Sequence, residues 1–357
     1  MKVTFCLPTH NFKSPIGGFK IVYEYSNYLV QNNVDVNIVF CTEHSLEKYK
    51  LPLRVRRFIS KFIVMLSPRW FKLDRRVNKI AAPRLEDKYI PNADIVFATA
   101  VKTSTQVSKL SESKGKKFYL IQDFENWEVE DSVVFDSYKL GMRNIVVSSW
   151  LYDIVKKYSD DVKCIKNPID LHIYKVINPI GNRNPLCIGM LYHDGWYKGT
   201  EYSIATLKNI KNIYPELKVI AFGNPSRPKD LPEWFEYYQH ASSELVAQIY
   251  NKCSIFICSS IVEGFGLTGL ESMACGCALV SSNYKGVFEY AVDRYNSLIS
   301  QVKDVKAMEK NIVFLIENKS ERIRIANNAV ESVKDYSWEN AVQVLLSYFK
   351  ECEGVER

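Results

Sequence analysis

Short runs that are apolar at nearly every position recur along this chain, each followed by a stretch with helical periodicity. That alternation constrains the fold more than any other feature. KVTFCLP (2–8), VDVNIVF (34–40), ADIVFATA (93–100), KKFYLIQD (116–123) and RNIVVSS (143–149) succeed one another through the first half. LCIGML (186–191), LKVIAFG (217–223), SIFICSS (254–260) and ALVSSN (278–283) continue through the second. Such runs fit strands buried on both faces, and strands separated by helices such as Phe19 to Gln31 fit parallel sheets covered by helices. At 357 residues there is more chain than one ordinary core holds. The break is expected at 172–185, HIYKVINPIGNRNP, which is rich in Pro, Asn and Gly and lacks periodicity. The expectation is an α/β chain of two Rossmann-like, doubly wound domains, 1–171 and 186–335.

Ligands of such sheets bind beyond the carboxyl ends of the strands, so the loops there carry the search for chemistry. SIFICSSIVEGFGLTGLESMACGCALVSS (254–282) stands out. A buried strand ends in serines, a Gly-rich turn follows, and a helix is expected to start near Leu267. Its first turn offers unpaired backbone N–H groups and the positive end of a helix dipole, a seat for phosphate. Gly264 and Gly266 allow close approach of the backbone to a ligand. Glu263 precedes the turn and Glu271 lies about one turn into the helix, so one carboxylate can meet each end of a bound ligand. Carboxylates accept paired hydrogen bonds from vicinal hydroxyls, which suits a ribose at one end and a hexose at the other. Gly264-x-Gly266-x-x-Gly269 also matches the dinucleotide fingerprint. That fingerprint expects an acid at the end of the next strand, where this chain has Asn283.

Glu263-Gly-Phe-Gly-Leu-Thr-Gly-Leu-Glu271, followed by Ser-Met-Ala-Cys-Gly, resembles the E-x7-E signature of glycosyltransferase family 4, retaining enzymes of GT-B fold. The resemblance extends to Glu244-Leu-Val-Ala-Gln-Ile-Tyr, Gly286-Val-Phe-Glu-Tyr-Ala, Asn167-Pro-Ile-Asp170 and Tyr336-Ser-Trp-Glu339. It implies two domains facing across a cleft, with 336–357 forming a last helix that crosses back to the first. It implies that Glu263 contacts the donor sugar and Glu271 the ribose hydroxyls. Amides of Phe265, Gly266, Leu267 and Thr268 would hold sugar and diphosphate, and Lys198 would neutralise the departing diphosphate. Many members have Gly-Arg-Leu before that lysine. This chain has Gly189-Met190-Leu191, so His193 or a residue of the first domain is expected to share the arginine's task. In the first half, Ser14-Pro-Ile-Gly-Gly18 resembles the family's Gly-rich loop facing the donor, and Asp123 stands on the acceptor side. IQDFENW (121–127) resembles members that handle rhamnose.

The expected reaction is metal-independent and needs no cofactor beyond the nucleotide-sugar donor as substrate. No Asp-x-Asp motif, no compact His/Cys cluster and no C-x-x-C pair appears among the nine cysteines. The expected acceptor is a glycan or polyprenyl-linked sugar of a bacterial surface polysaccharide. Alternatives are a non-catalytic sugar-nucleotide-binding partner of another transferase, or an NAD or nucleotide-sugar oxidoreductase.

Residues 48–79 hold eleven Lys/Arg against Asp74 alone, a net charge of +10 in a chain of net +7, which leaves −3 for the rest. Val55, Phe58, Ile59, Phe62, Ile63 and Leu66 share one helical face. With Arg54, Arg56, Arg57 and Lys61, and with Trp70 and Phe71 beyond Pro68, this arm is expected to meet an anionic membrane surface, with no role for nucleic acid. No window approaches the ~18 apolar residues that span a bilayer, and MKVTFCLPTH carries no leader-like run. The expected location is cytoplasmic, peripheral on the inner face of the plasma membrane.

Overall fold

The computed structural model describes residues 1–12, 15–127, 129–229 and 231–354, with the backbone alone at 48 and 353–354. Ser14 of the Gly-rich loop and residues 355–357 of the last segment therefore lie outside the described residues. The chain divides into two compact units, 1–166 with 341–357, and 167–340.

The first unit is built on β1 (Lys2–Leu7), β2 (Asp35–Cys41), β3 (Asn78–Ala82), β4 (Ile95–Ala98), β5 (Lys116–Ile121), β6 (Arg143–Val146) and β7 (Val162–Cys164). They form one parallel sheet in the order β3-β2-β1-β4-β5-β6-β7. Its helices are α1 (Gly17–Gln31), α2 (Leu53–Leu66), α3 (Val101–Ser108), α4 (Asp131–Tyr138) and α5 (Ser149–Val155). The second unit has β8 (Cys187–Tyr192), β9 (Lys218–Gly223), β10 (Phe235–Gln239), β11 (Ile255–Cys258), β12 (Ala278–Ser282) and β13 (Ser297–Ser300). These are also parallel, in the order β10-β9-β8-β11-β12-β13. Around them lie α6 (Thr200–Ile213), α7 (Ser243–Lys252), α8 (Leu267–Ala274), α9 (Val305–Glu317) and α10 (Lys319–Ser332). In each sheet the strand order reverses once, at β1/β4 and at β8/β11, and a crevice opens beyond the strand ends at such a point.

Each unit has its own core. In the first, Phe5 stacks on Phe97 at 4.8 Å, and Phe97 meets Phe118 at 5.2 Å. The last helix, α11 (Trp338–Gly354), closes that column with Phe349, edge-on to Phe118 at 5.5 Å. In the second, Ile188, Ala221, Ile257 and Val280 of adjacent strands pack with Leu207, Met308 and Ile325 of the covering helices.

The segment 172–185, expected as a linker, belongs to the second unit. Arg183 holds it there: its buried guanidinium donates to the carbonyls of Asn178, Tyr250, Cys253 and Cys275. Asn251 Oδ1 accepts from the N–H groups of Ile177 and Asn178. Lack of periodicity there reflects polar fastening of irregular backbone, and the unit boundary falls at Lys166/Asn167.

The basic arm folds differently from its sequence expectation. Trp70 and Phe71 are half-buried and pack on Tyr23, with ring centroids 5.7 and 5.5 Å away, and Trp70 Nε1 donates to the Asn11 carbonyl. They fasten the arm to α1 and offer no outward anchor. Arg56 is also turned in, paired with Glu47 at 3.4 Å. Ile59 and Ile63 are half-buried beside Ser60 and Val64, whereas Val55, Phe58, Phe62 and Leu66 are exposed. Among the described residues no helix is long and apolar enough to cross a membrane.

Candidate functional site

In the second unit, the loops after β8 and β11 leave the sheet side by side at the reversal point. A backbone zipper joins them. Ile261 and Val262 donate their N–H groups to the Tyr197 carbonyl at 2.7 and 3.2 Å, and Ser259 Oγ donates to the Gly199 carbonyl at 2.6 Å. Gly199 has φ +57°, and a Cβ there would collide with the Ser259 carbonyl, so only glycine allows this approach. The zipper brings Lys198 Nζ to 2.9 Å from Glu263 Oε2. Glu263 is 6% exposed, and Ser260 Oγ donates to its other oxygen. Burying a carboxylate costs least where such paired charge and hydrogen bonding answer it.

Glu271, also 6% exposed, lies within α8 and accepts from Tyr250 Oη at 3.3 Å. Burial beside that carboxylate raises the Tyr250 phenol well above its usual range, which keeps it a neutral donor. Between the two glutamates the chain turns into α8, with Gly266 at φ +91° as its first cap. Phe265 is buried against Tyr290 and Tyr336. The amides of Gly266, Leu267 and Thr268 thus stand at the start of a helix between two carboxylates. Hydroxyls can pair with the carboxylates there and an anion with the helix start.

Two of the fingerprint glycines have a reason in this structure that involves no cofactor. A Cβ on Gly266 would collide with Tyr284, and one on Gly269 with Tyr290. The two tyrosine hydroxyls bond each other at 2.7 Å, and Tyr290 Oη donates to the Gly266 carbonyl at 2.7 Å. Asn283, where the fingerprint expects an acid, bonds Gln301 and the Val302 N–H instead. Met190 is fully buried among Ile188, Leu207 and Ala221, turned away from any polar ligand.

His193 follows β8. Its N–H donates to Thr200 Oγ1 and its carbonyl accepts from that hydroxyl, at 3.1 and 2.8 Å. The Gly195 N–H donates to its Nδ1 at 2.8 Å, which leaves the proton of the neutral ring on Nε2. Burial, and then the charge of Lys198, lower its pKa from the usual 6.5.

The first unit holds the other expected residues. Gln122, just after β5, donates from Nε2 to the Gly18 carbonyl at 3.1 Å, so the Gly-rich loop and the Gln122-Asp123 turn meet. Asp123 Oδ1 accepts from the Phe124 N–H at 2.8 Å. A separate pocket of about 440 Å³ opens beyond the ends of β2 and β3, lined by Glu43, Glu47, Arg56, Arg84, Lys88 and Tyr89 among others. Its ion pairs include Arg84 with Glu43 at 2.8 Å. Tyr250, Ser260 and Tyr290 lie in segments singled out from the sequence, and Tyr284 lies between them, but no local pattern gives any of the four a part in the site, because tertiary contacts bring each one there.

Residues 181–332 match the family model for glycosyl transferases group 1. The chain is 25% identical over 234 residues to an uncharacterized glycosyltransferase of Methanocaldococcus jannaschii, covering 59% of this chain and 65% of that one. It is 30% identical over 148 residues to the N,N'-diacetylbacillosaminyl-diphospho-undecaprenol alpha-1,3-N-acetylgalactosaminyltransferase of Campylobacter jejuni, covering 40% and 38%. Each of these matches thus spans less than two thirds of its relative's length. Among solved structures, Anabaena HepE in complex with UDP and glucose superposes with TM-score 0.73 at 13% identity, covering 98% of this chain and all of that one. Sucrose-phosphate synthase of Thermosynechococcus elongatus gives 0.75 at 12%, covering 99% of both. The fold is therefore GT-B, and residues 181–332 are similar to the glycosyl transferases of group 1.

Proposed function

We propose that this chain is a retaining glycosyltransferase that moves a sugar from a nucleotide-diphosphate donor to a glycan or lipid-linked acceptor of a bacterial surface polysaccharide. The observation that carries the reading is the Lys198–Glu263 pair, drawn together by two loops at the reversal point of the second sheet. A cation adjacent to a hydroxyl-binding carboxylate suits a sugar joined to a departing diphosphate. Glu263 then takes sugar hydroxyls, Glu271 with Tyr250 behind it takes the ribose, and the amides at the start of α8 take the diphosphate. Lys198 stabilises the charge that develops as the bond from the anomeric carbon to the phosphate oxygen breaks. An acceptor hydroxyl forms its new bond on the face vacated, and its proton passes to the leaving phosphate oxygen. Lys198 supplies the charge that a metal supplies elsewhere. His193, whose neutral ring carries its proton on Nε2, shares the diphosphate in place of the arginine that Met190 replaces.

The first unit holds Gly18 and Asp123, the residues expected in the donor loop and on the acceptor side. Its amphoteric pocket beyond β2 and β3 has the carboxylates and guanidiniums that a hydroxyl-rich acceptor can use. The lipid-linked part of the reading is supported by the Campylobacter relative, whose name specifies an undecaprenol-diphosphate substrate. The O-antigen chain mannosyltransferase B of Escherichia coli, 29% identical over 117 residues, supports the polysaccharide part. Met190, buried in the core, leaves one reading beside the transferase, a sugar-nucleotide-binding partner without turnover, against which Glu263, Glu271 and Lys198 speak.

Calorimetry with UDP, GDP, dTDP and NAD on wild type and Glu271→Gln tests the reading. Binding of one nucleoside diphosphate, weakened in Glu271→Gln, is expected; binding of NAD alone overturns the transferase. Hydrolysis or transfer of the matching nucleotide sugar then separates enzyme from partner.

A further inference from the structure

The outward face of α2 has no cover in its own unit. Val55, Phe58, Phe62, Met65 and Leu66 lie along it, with Phe58 68% and Phe62 55% exposed. The helix meets its sheet through the opposite side, where Ser60 and Val64 are buried. That side is fastened. Ser60 Oγ donates to Ser45 Oγ at 3.0 Å, Arg56 pairs with Glu47, and Lys79 Nζ donates to the carbonyls of Met65 and Ser67. The apolar ridge is therefore held outward and cannot turn in without breaking these bonds. Arg54, Arg57 and Lys61 are exposed beside it, and the helix contains no acidic residue.

We propose that this face docks on an anionic lipid bilayer, with Phe58 and Phe62 in the acyl boundary and Arg54, Arg57 and Lys61 among the headgroups. The charge argues for lipid as the occupant. A rigid helix with apolar and aromatic side chains on one face and cations at its flank lies in the plane of a membrane interface. A protein partner or second copy of this chain would have to bring carboxylates to the same flank, and an apolar helix in a soluble partner would leave the three cations unanswered. The docking surface differs from the one expected from sequence: Trp70, Phe71 and Arg56 are outside it and Met65 is within it. It stands independently of the transferase reading.

Co-sedimentation of the full chain with vesicles tests it, using phosphatidylcholine alone and phosphatidylcholine mixed with phosphatidylglycerol. Binding to the mixed vesicles only, weakened by salt, is expected. Lys61→Glu removes one cation and adds an anion, so binding should fall by more than the roughly fivefold that a single lost surface cation costs. Phe58→Ser with Phe62→Ser should abolish it while leaving the thermal midpoint unchanged, because both side chains face solvent. Phe62→Trp keeps the ridge apolar, and its added fluorescence should be quenched by brominated acyl chains in the mixed vesicles. Failure to bind the mixed vesicles, equal binding by the double serine variant, or an unquenched signal from the introduced indole would overturn the proposal. So would a concentration-dependent dimer that the serine variant abolishes, which would make the occupant a second copy.

Discussion

Gly266 stands at φ +91° with Tyr284 against it, and both facts forbid a side chain there. Gly266→Ala should cost at least about 2 kcal/mol, from left-handed strain and overpacking together. Pairing it with Tyr284→Phe removes the hydroxyl that the new methyl meets, so part of the loss should return in urea unfolding. Under the proposed function, Lys198→Ala should lower turnover of the nucleotide sugar about 10²–10³-fold, the range for removing one charge-stabilising donor. His193 gives a pH signature. Its folded pKa is lowered, so the unfolded chain takes up the proton first as pH falls below 6.5. The contribution of neutral His193 is fully present above pH 6.5 and is lost as the pH falls below that, until the folded ring protonates too. His193→Gln removes this titration, so the gap between variant and wild-type urea midpoints should shift in the variant's favour between pH 7.5 and 5.5. His10, also lowered by burial, leaves a residual slope in both proteins.

At the scale of elements, the inner strands were legible and the outer ones were not. The sequence marks β1, β2, β4, β5 and β6 as apolar runs, and likewise β8, β9, β11 and β12. The four strands it passes over, β3, β7, β10 and β13, are the two edges of each sheet. An edge strand has a neighbour on one side only, and β3, β7 and β10 are mostly half-buried or exposed, so they lack the apolar run that marks an inner strand. The helix starts named from the sequence, Phe19 and near Leu267, fall at Gly17 and at Leu267, and neither has a side-chain cap. Asp304 caps α9 by accepting from the Ala307 N–H at 2.9 Å. Asp304→Ala should cost about 1 kcal/mol, read as a lower denaturation midpoint with an unchanged slope. For α2 the period correctly marks an amphipathic helix, but not which way it faces. Ser60, a small polar residue, sits at the centre of its buried side, and no hydropathy pattern would place it there.

For the whole molecule, α11 shows how chain order and spatial order part. Residues from Ala341 onward belong to the first unit although the preceding residues, from Asn167, form the second. Phe349 completes the Phe5–Phe97–Phe118 column. Phe349→Ala should destabilise the first unit by about 3–5 kcal/mol, as a large buried aromatic does when truncated. In a denaturant titration the transition of the first unit should move to lower concentration while that of the second stays in place. The sequence by itself determined the parallel α/β class, the inner strands, and the turn with Glu263 and Glu271, because each is encoded within a few neighbouring residues. Only the tertiary structure decided that Lys198 meets Glu263, that Tyr250 holds Glu271, that two tyrosines demand Gly266 and Gly269, and that α2 turns its phenylalanines outward. Those outcomes depend on contacts between segments far apart in the chain, where burial and close packing, absent from any local pattern, set which side chains meet.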